Sequence, residues 1–292
     1  MLFGEYSVLL GSKALVVPFE RYSAQWSYAE KDDNSLNVSD YKARNNLKAY
    51  ISHLLTVKNT NELLSFEDLE QELEKGLFFR SHIPQGYGAG SSGALVAALY
   101  DNFSSIKVDH DLQLLQQQLA SLESFFHGNS SGLDPLACYL RAPILVDEFK
   151  QIHSAQLNLN NQNIYLIDSN LTAETGPLVA YFRQQMHSYS FFKKVNGTLI
   201  PSVNNAVESL LSGDRSGFFT ALEKISQFQF DHLKPMIPEN LSKQWISGLE
   251  SKEYFMKLCG SGGGGYILLF SKNSTAVLQH FKMDEIVPLQ NS

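Results

Sequence analysis

The chain has 292 residues, of which 43% are hydrophobic and 18% charged, a composition typical of a soluble globular protein long enough for two domains. Its net charge of −7 argues against nucleic acid or an anionic membrane as a partner. The two cysteines, Cys138 and Cys259, exclude a disulfide framework, and we recognise neither a membrane-spanning apolar run nor a signal peptide, so we expect a cytoplasmic protein.

Short apolar stretches in the first third of the chain predict three strands of one sheet, at residues 6–10, 14–17 and 23–28. Apolar residues at helical spacing then predict two helices, over residues 45–57 and 66–77. A strand is predicted at residues 78–83, and it leads into the most informative segment of the sequence.

This segment, residues 84–94, reads Pro-Gln-Gly-Tyr-Gly-Ala-Gly-Ser-Ser-Gly-Ala, and its glycines allow a tight turn and a close approach of the backbone to a ligand. Ser91 and Ser92 open an apolar run that suits a helix N-terminus, where unpaired N–H groups and the helix dipole favour phosphate. No lysine follows, which excludes a Walker A loop, and Ser91 stands where a Rossmann loop needs glycine. Taken alone, such a run slightly favours a simpler interpretation, a glycine-rich turn that caps a core helix.

The clearest helical pattern spans residues 109–126, with Asp109 as the expected N-cap. Glu123 falls on the edge of the apolar stripe of this helix, and a carboxylate buried there would need a partner. Magnesium, which prefers oxygen ligands, is one such partner. The alternative is a glutamate that reaches solvent from the edge of the stripe.

Asp134 ends the segment His-Gly-Asn-Ser-Ser-Gly-Leu-Asp, and Pro135 follows it. By itself this pattern is typical of an aspartate N-cap with proline at the first helical position. A carboxylate can also serve as a general base or as an orienting acceptor for a proton. A strand is predicted soon afterwards, at Ile144–Val146.

The polar residues 154–162 predict a boundary between two domains, residues 1–155 and residues 156–292. Beyond the boundary we predict the strand Asn163–Asp168, helices over residues 176–189, 201–212 and 216–229, the strand 266–270 and the helix Ser274–His280. The four glycines at residues 262–265 could be a flexible linker, but apolar residues on both sides favour an anchored loop.

Four segments together carry a resemblance to a known family: Gly4-Glu5-Tyr6-Ser7-Val8-Leu9, the glycine–serine loop, residues 123–134 and residues 257–270. In order and content they resemble the GHMP small-molecule kinases, and among these the mevalonate kinases most closely, over residues 1–270. The resemblance implies an α+β fold of two domains, the N-terminal one ribosomal-protein-S5-like and the C-terminal one ferredoxin-like, with the active site in the cleft between them.

The resemblance also implies roles for individual residues. Asp134 matches the catalytic aspartate, and Ser92 and Glu123 match ligands of Mg²⁺. The residues matched to nucleotide binding are Gly86, Gly88, Ala89, Gly90, Ser91 and Ser92. The residues assigned to the substrate side are Glu5, Tyr6, His127, Thr175, Gly260 and Ser261. The loop Gly260–Gly265 resembles the third family motif, which packs against the phosphate loop.

An enzyme of this kind would use ATP and Mg²⁺ to phosphorylate a small-molecule alcohol. The resemblance implies mevalonate as substrate and 5-phosphomevalonate as product, in isoprenoid biosynthesis, and it leaves room for a homodimer. The alternatives are a phosphomevalonate kinase or another GHMP kinase, and a catalytically impaired relative that binds nucleotide. The chain has only 23 lysines and arginines, none of them between Ser81 and Lys107, which favours the neutral alcohol over a phosphorylated one.

Two features depart from the family pattern. The family has a lysine five residues before the glycine of its Gly-Glu element, and here that position would precede Met1, because the glycine is Gly4. We expect that the sequence starts late, at an internal methionine, because its first three residues read as the end of a strand. In addition, Tyr6 stands where animal-type mevalonate kinases have histidine.

Overall fold

The computed structural model describes residues 1–29, 38–57, 60–128, 130–157, 159, 162–282 and 285–289. Contacts between Cα atoms divide the chain into two compact units. Unit 1 contains Met1–Phe19, Gln85–Ala89 and Ala142–Ser292, and unit 2 contains Glu20–Pro84 and Gly90–Arg141. These units interleave along the chain, whereas the predicted domains are contiguous, and the predicted boundary at residue 155 stays a prediction.

The described residues form nine strands and twelve α-helices, so the α+β class is confirmed. The strands are β1 (Ala14–Val16), β2 (Ala24–Tyr28), β3 (Leu77–Ser81), β4 (Ile144–Val146), β5 (Ile152–Ser154), β6 (Asn163–Asp168), β7 (Tyr254–Leu258), β8 (Tyr266–Ser271) and β9 (Ile286–Pro288). The helices are α1 (Val38–Leu54), α2 (Thr60–Leu63), α3 (Phe66–Glu74), α4 (Ser91–Phe103), α5 (Leu112–His127), α6 (Leu133–Leu140), α7 (Thr175–Met186), α8 (Tyr189–Lys194), α9 (Ile200–Ser212), α10 (Arg215–His232), α11 (Ser242–Ser251) and α12 (Ser274–His280).

Three antiparallel sheets organise these elements. In unit 1, one sheet has the order β1-β4-β5 and the other the order β7-β8-β6-β9. In unit 2, β2 pairs with β3 in a two-stranded sheet. The expectation that β1 and β2 share one sheet was therefore wrong, although both strands were predicted close to their observed positions.

The core of unit 2 is helical and explains the position of the acidic residues discussed below. Helix α5 buries Leu115, Leu119 and Leu122, which recur at steps of three and four residues. Its N-cap is Asp111, whose side chain accepts a hydrogen bond from the Leu114 N–H at 2.9 Å. The prediction of Asp109 as the cap was wrong, because Asp109 instead accepts a hydrogen bond from the Tyr139 hydroxyl at 2.7 Å.

In unit 1, every residue of β7 and β8 is buried. Helix α10 packs against α9 and β7, and α11 also packs against β7. A strand that is covered on both faces has no alternation of polar and apolar residues, so its sequence is a continuous apolar run. In β7 this run is interrupted only by Lys257, whose partner is described below.

The predicted strand at residues 6–10 was wrong, because Val8–Leu10 forms a 3₁₀ turn. The backbone there bonds locally, from the Val8 N–H to the Gly4 carbonyl and from the Leu10 N–H to the Ser7 carbonyl. The predicted helix 176–189 is also corrected: α7 ends at Met186, and α8 begins at Tyr189.

Among the described residues, no helix is both long enough and apolar enough to cross a membrane.

Candidate active site

The N-terminus of α4 lies in unit 2 and begins at a glycine in the left-handed conformation. Gly90, with φ of +77°, is the residue before the helix, and among the described residues beyond its two chain neighbours no atom lies within 4 Å of the position that a Cβ would take. Ser91 and Ser92 are therefore the first two residues of the helix. The N–H groups of the first turn have no acceptor within the helix, so this end can bind an anion.

Glu123 projects from α5 and is buried, with 3% of its surface exposed. Its Oε1 accepts a hydrogen bond from the Ser92 hydroxyl at 2.9 Å, and its Oε2 accepts one from the Ser130 hydroxyl. Burial, and secondarily the charge of Asp134, raises the pKa of Glu123 to about 7, although the two hydroxyl bonds act in the opposite direction. The alternative of a glutamate that reaches solvent was therefore wrong.

Asp134 is the second residue of α6, which follows Gly132 in the left-handed conformation with φ of +66°. The N-cap position belongs to Gly132, so the alternative of a simple aspartate cap was also wrong. A Cβ on Gly132 would collide with the Gln116 carbonyl and with Ala120 of α5. Glycine thus lets the start of α6 lie directly on α5, the helix that carries Glu123.

A second glycine brings the start of α6 close to α4. A Cβ on Gly93 would lie 2.9 Å from the Pro135 nitrogen and 3.0 Å from the Asp134 carbonyl carbon. The backbone at Asp134 therefore contacts the first turn of α4, the turn that also carries Ser92. The sequence-predicted residues Ser92, Glu123 and Asp134 are brought together within unit 2.

The chemistry of this cluster suits a hard cation. Carboxylate and hydroxyl oxygens are the ligands that Mg²⁺ prefers, and it is usually bound by one or two carboxylates together with substrate phosphates. Within the described ranges, no three His, Cys, Asp or Glu side chains form a cluster that could hold a metal ion. A protein-only cage is thus absent from these residues, whereas one buried carboxylate with hydroxyl neighbours fits a cation shared with a nucleotide.

Two glycine-rich loops pack against each other within unit 1. A Cβ on Gly88 would lie 2.9 Å from the Cys259 carbonyl oxygen, and one on Gly260 would lie 3.2 Å from the Gly88 Cα. The Tyr266 N–H donates to the Tyr87 carbonyl at 3.1 Å. Gly260–Gly265 therefore packs against Tyr87 and Gly88, in agreement with what the resemblance to the third family motif implied.

Two further residues of the first loop, Gly86 and Ala89, are located by a backbone hydrogen bond and by their position in the sequence. The Ala173 N–H donates to the Gly86 carbonyl at 3.4 Å, which ties the loop to the segment before α7. Ala89 immediately precedes Gly90, the residue at the start of α4.

Three of the predicted substrate-side residues meet in unit 1. The Tyr6 hydroxyl donates to the Ser261 carbonyl at 2.8 Å, and the Thr175 Oγ1 lies 3.3 Å from the Ser261 Oγ. The Tyr6 ring stacks on Phe182 with centroids 4.6 Å apart. Burial, followed by the charge of Glu5, raises the pKa of Tyr6 above its usual value, so Tyr6 is a neutral donor at physiological pH.

Glu5 has a partner that the sequence analysis missed. The Lys257 Nζ lies 2.7 Å from the Glu5 Oε1, and the two side chains are only 2% and 6% exposed. The sequence feature that indicates such a partner is a lone lysine in the apolar run Tyr254–Leu258, because lysine is almost never fully buried unless it is paired. His127 is the last residue of α5, and its side chain lies outside the described part of the structure.

Residues 54–142 match the family model described as GHMP kinases N terminal domain. This part of the chain therefore contains a GHMP kinase N-terminal domain.

Solved structures extend the likeness in fold over nearly the whole chain. The L. major mevalonate kinase, in complex with R-mevalonate, is 16% identical, with a TM-score of 0.62 over 98% of this chain and 91% of that one. The Streptococcus pneumoniae phosphomevalonate kinase, in complex with phosphomevalonate and AMPPNP, is 16% identical, with a TM-score of 0.64 over 99% and 95%. The Lactococcus lactis galactokinase, complexed with galactose, is 14% identical, with a TM-score of 0.63 over 95% and 84%. No curated protein sequence matches the chain.

These three kinases resemble the chain to nearly the same degree, although their structures contain R-mevalonate, phosphomevalonate and galactose, respectively. Likeness at 14–16% identity establishes the GHMP kinase fold and does not select a substrate.

Proposed function

We propose that the protein is an ATP-dependent kinase that phosphorylates the primary alcohol of mevalonate to give 5-phosphomevalonate. The observation that carries the proposal is the cluster at the start of α4, where Ser92 bonds the buried Glu123 and the backbone at Asp134 packs on the same turn. The AMPPNP bound in the S. pneumoniae phosphomevalonate kinase supports ATP as the phosphoryl donor.

The residues would divide the work of phosphoryl transfer, which requires phosphate binding, a divalent cation and an acceptor for the alcohol proton. The backbone of residues 86–92 would bind the triphosphate, because a glycine-rich turn and a helix N-terminus favour phosphate. Ser92 and Glu123 would hold Mg²⁺, with Glu123 in its ionised form. When bound, Mg²⁺ would neutralise charge on the phosphates.

Asp134 would accept or orient the proton of the substrate hydroxyl. As that oxygen forms its bond to the γ-phosphorus, the bond from the γ-phosphorus to the bridging oxygen breaks and ADP leaves. The position of Asp134 in the first turn of α6 suits this role, because the positive end of the helix dipole favours the carboxylate.

Mevalonate as the substrate rests on the resemblance of the four motifs and on charge. The absence of lysine and arginine between Ser81 and Lys107 favours a substrate without an extra phosphate. In unit 1, the meeting of Tyr6, Thr175 and Ser261 supports their assignment to the substrate side, because hydroxyls can bind a polar substrate without introducing charge.

The test is turnover of ATP with Mg²⁺ against mevalonate, phosphomevalonate, homoserine and galactose, with each product identified by mass. Transfer to mevalonate alone would support the proposal. Transfer to another member of the panel would replace mevalonate with that substrate. Nucleotide binding with no phosphoryl transfer to any of the four compounds would indicate a relative that binds nucleotide without kinase activity.

A further inference from the structure

We propose that Lys257 is a positioning residue, which uses its buried ion pair with Glu5 to fix the backbone of the glycine loop formed by residues 259–265. Nothing in the sequence patterns assigned a role to this lysine. The proposal concerns the position of the loop itself. Only the part of the experiment that measures nucleotide binding rests on the proposed function.

Lys257 is held from three sides. Its Nζ lies 2.7 Å from the Glu5 Oε1, donates to the Leu258 carbonyl at 2.8 Å and lies 5.6 Å from the centre of the Phe3 ring. An apolar pair of similar volume is often as stabilising as a buried ion pair. The ion pair also fixes the relative orientation of the two side chains, because a hydrogen-bonded charge pair accepts only a narrow range of geometries.

Glu5 is followed by a strained residue that reaches the same loop. Tyr6 has φ of +62°, a conformation that is uncommon for bulky residues and that persists only where surrounding contacts hold it. The contacts here are the hydrogen bond from the Tyr6 hydroxyl to the Ser261 carbonyl and the stack on Phe182. Two consecutive residues thus hold the loop at two points, Lys257 just before it and Ser261 within it.

Backbone hydrogen bonds connect the glycine loop to neighbouring segments of unit 1. The Gly263 N–H donates to the Met236 carbonyl at 2.5 Å, and the Gly265 N–H donates to the Leu171 carbonyl at 2.5 Å. Directly after the loop, the Tyr266 N–H is bonded to the Tyr87 carbonyl. A shift of the glycine loop would therefore displace Tyr87 and its neighbour Gly88, in the loop proposed to bind phosphate.

The experiment is hydrogen exchange of the full chain without ligand, followed by nucleotide titration. Tyr6→Phe removes one hydrogen bond and keeps the stacked ring, and Lys257→Met removes the charge. We expect amide exchange over residues 262–266 to be about tenfold faster in both variants, with the amides of β8 beyond Tyr266 unchanged. The matched controls are Tyr189→Phe and Lys243→Met, at exposed positions, which should exchange like the wild type.

Lys257→Met leaves Glu5 buried without its partner and could unfold the chain, so a double variant separates positioning from stability. Glu5→Gln with Lys257→Met removes both charges. We expect its melting temperature to return towards the wild-type value while the loop amides stay fast. Loop protection that returns together with the melting temperature would overturn the proposal, as would unchanged exchange in Tyr6→Phe and the double variant.

The second part of the experiment measures the dissociation constant of an ATP analogue for the wild type and for each variant. We expect affinity to fall by about tenfold in Tyr6→Phe and in the double variant. If the wild-type protein binds no nucleotide, the proposed function fails, and the exchange data still decide whether Lys257 positions the loop. If nucleotide binds equally well to protein with a loosened loop, the link from loop to phosphate is wrong.

Discussion

Ser92 donates a hydrogen bond to Glu123 across 2.9 Å, although the two residues stand on different helices and 31 positions apart in the sequence. The bond ties the first turn of α4 to a carboxylate that burial would otherwise penalise. A pKa of about 7 leaves Glu123 able to hold or release a proton near physiological pH, and a bound cation would select the ionised form.

Replacing Asp134 by asparagine should lower kcat by a factor of about 10² to 10⁴, because the variant keeps the shape of the side chain but cannot accept the alcohol proton. The KM for ATP should change little, since Asp134 is assigned to the acceptor substrate. Steady-state kinetics with whichever substrate the panel assay selects measure both constants. Asp101→Asn, at an exposed aspartate of the same unit, is the matched control. Undiminished turnover would remove Asp134 from the mechanism.

The pKa of Glu123 predicts how stability depends on pH in the absence of magnesium. The folded protein holds the proton up to a pKa of about 7, whereas the unfolded chain releases it near the ordinary glutamate value. Between these two values the folded state binds more protons, so the free energy of unfolding falls as pH rises, by about 3 kcal/mol in total.

Glu123→Gln removes this titration, and urea unfolding from pH 4 to pH 8 compares it with the wild type. The variant should gain stability relative to the wild type as pH rises through this window. For Glu250→Gln, at an exposed position, the free energy of unfolding should depend on pH in the same way as for the wild type. Parallel curves for Glu123→Gln would show that the carboxyl of Glu123 titrates normally in the folded state.

Much of the fold was predictable because regular patterns determine regular elements. The strand Asn163–Asp168 and the helix Ser274–His280 were predicted with their observed bounds. Strand β7 and helix α11 were missed, since a strand buried on both faces lacks alternation and Lys257 interrupts its apolar run. The segment 6–10 has the composition of a strand, but the left-handed backbone of Gly4 and Tyr6 turns the chain instead.

The sequence named Ser92, Glu123 and Asp134, which the structure brings together, but it did not reveal their contacts. Spacing along α5 placed Glu123 at the edge of the apolar stripe, but only the packing of α4 and α6 shows which hydroxyls and which charge surround it. The partnership of Glu5 with Lys257 spans 252 positions, and no local pattern encodes it. Long-range polar contacts depend on the tertiary fold, which is why sequence periodicity does not reveal them.

Gly93→Ala should destabilise unit 2 and displace Asp134, the proposed catalytic aspartate. The added Cβ would lie 2.9 Å from the Pro135 nitrogen and 3.0 Å from the Asp134 carbonyl carbon, and backbone atoms cannot move aside cheaply. We expect a loss of about 1–3 kcal/mol in the free energy of unfolding, as for other overpacked sites. Gly197→Ala is the control, because among the described residues no atom beyond its chain neighbours and the backbone of its own helix lies within 4 Å of its Cβ position. Equal stability of the two variants would contradict the close approach of α4 and α6.

Ser92→Ala should raise the Mg²⁺ concentration required for half-maximal activity by about tenfold, the effect of losing one ligand or hydrogen bond. The variant also removes one of the two hydroxyl bonds that lower the pKa of Glu123, so the ionised carboxylate becomes harder to form. At saturating Mg²⁺ kcat should recover most of its wild-type value, because Asp134, the proposed proton acceptor, is unchanged. Activity measured against free Mg²⁺, with the exposed Ser190→Ala as control, tests this. A lower kcat with an unchanged Mg²⁺ requirement would assign the Ser92 hydroxyl to the phosphates instead of the cation.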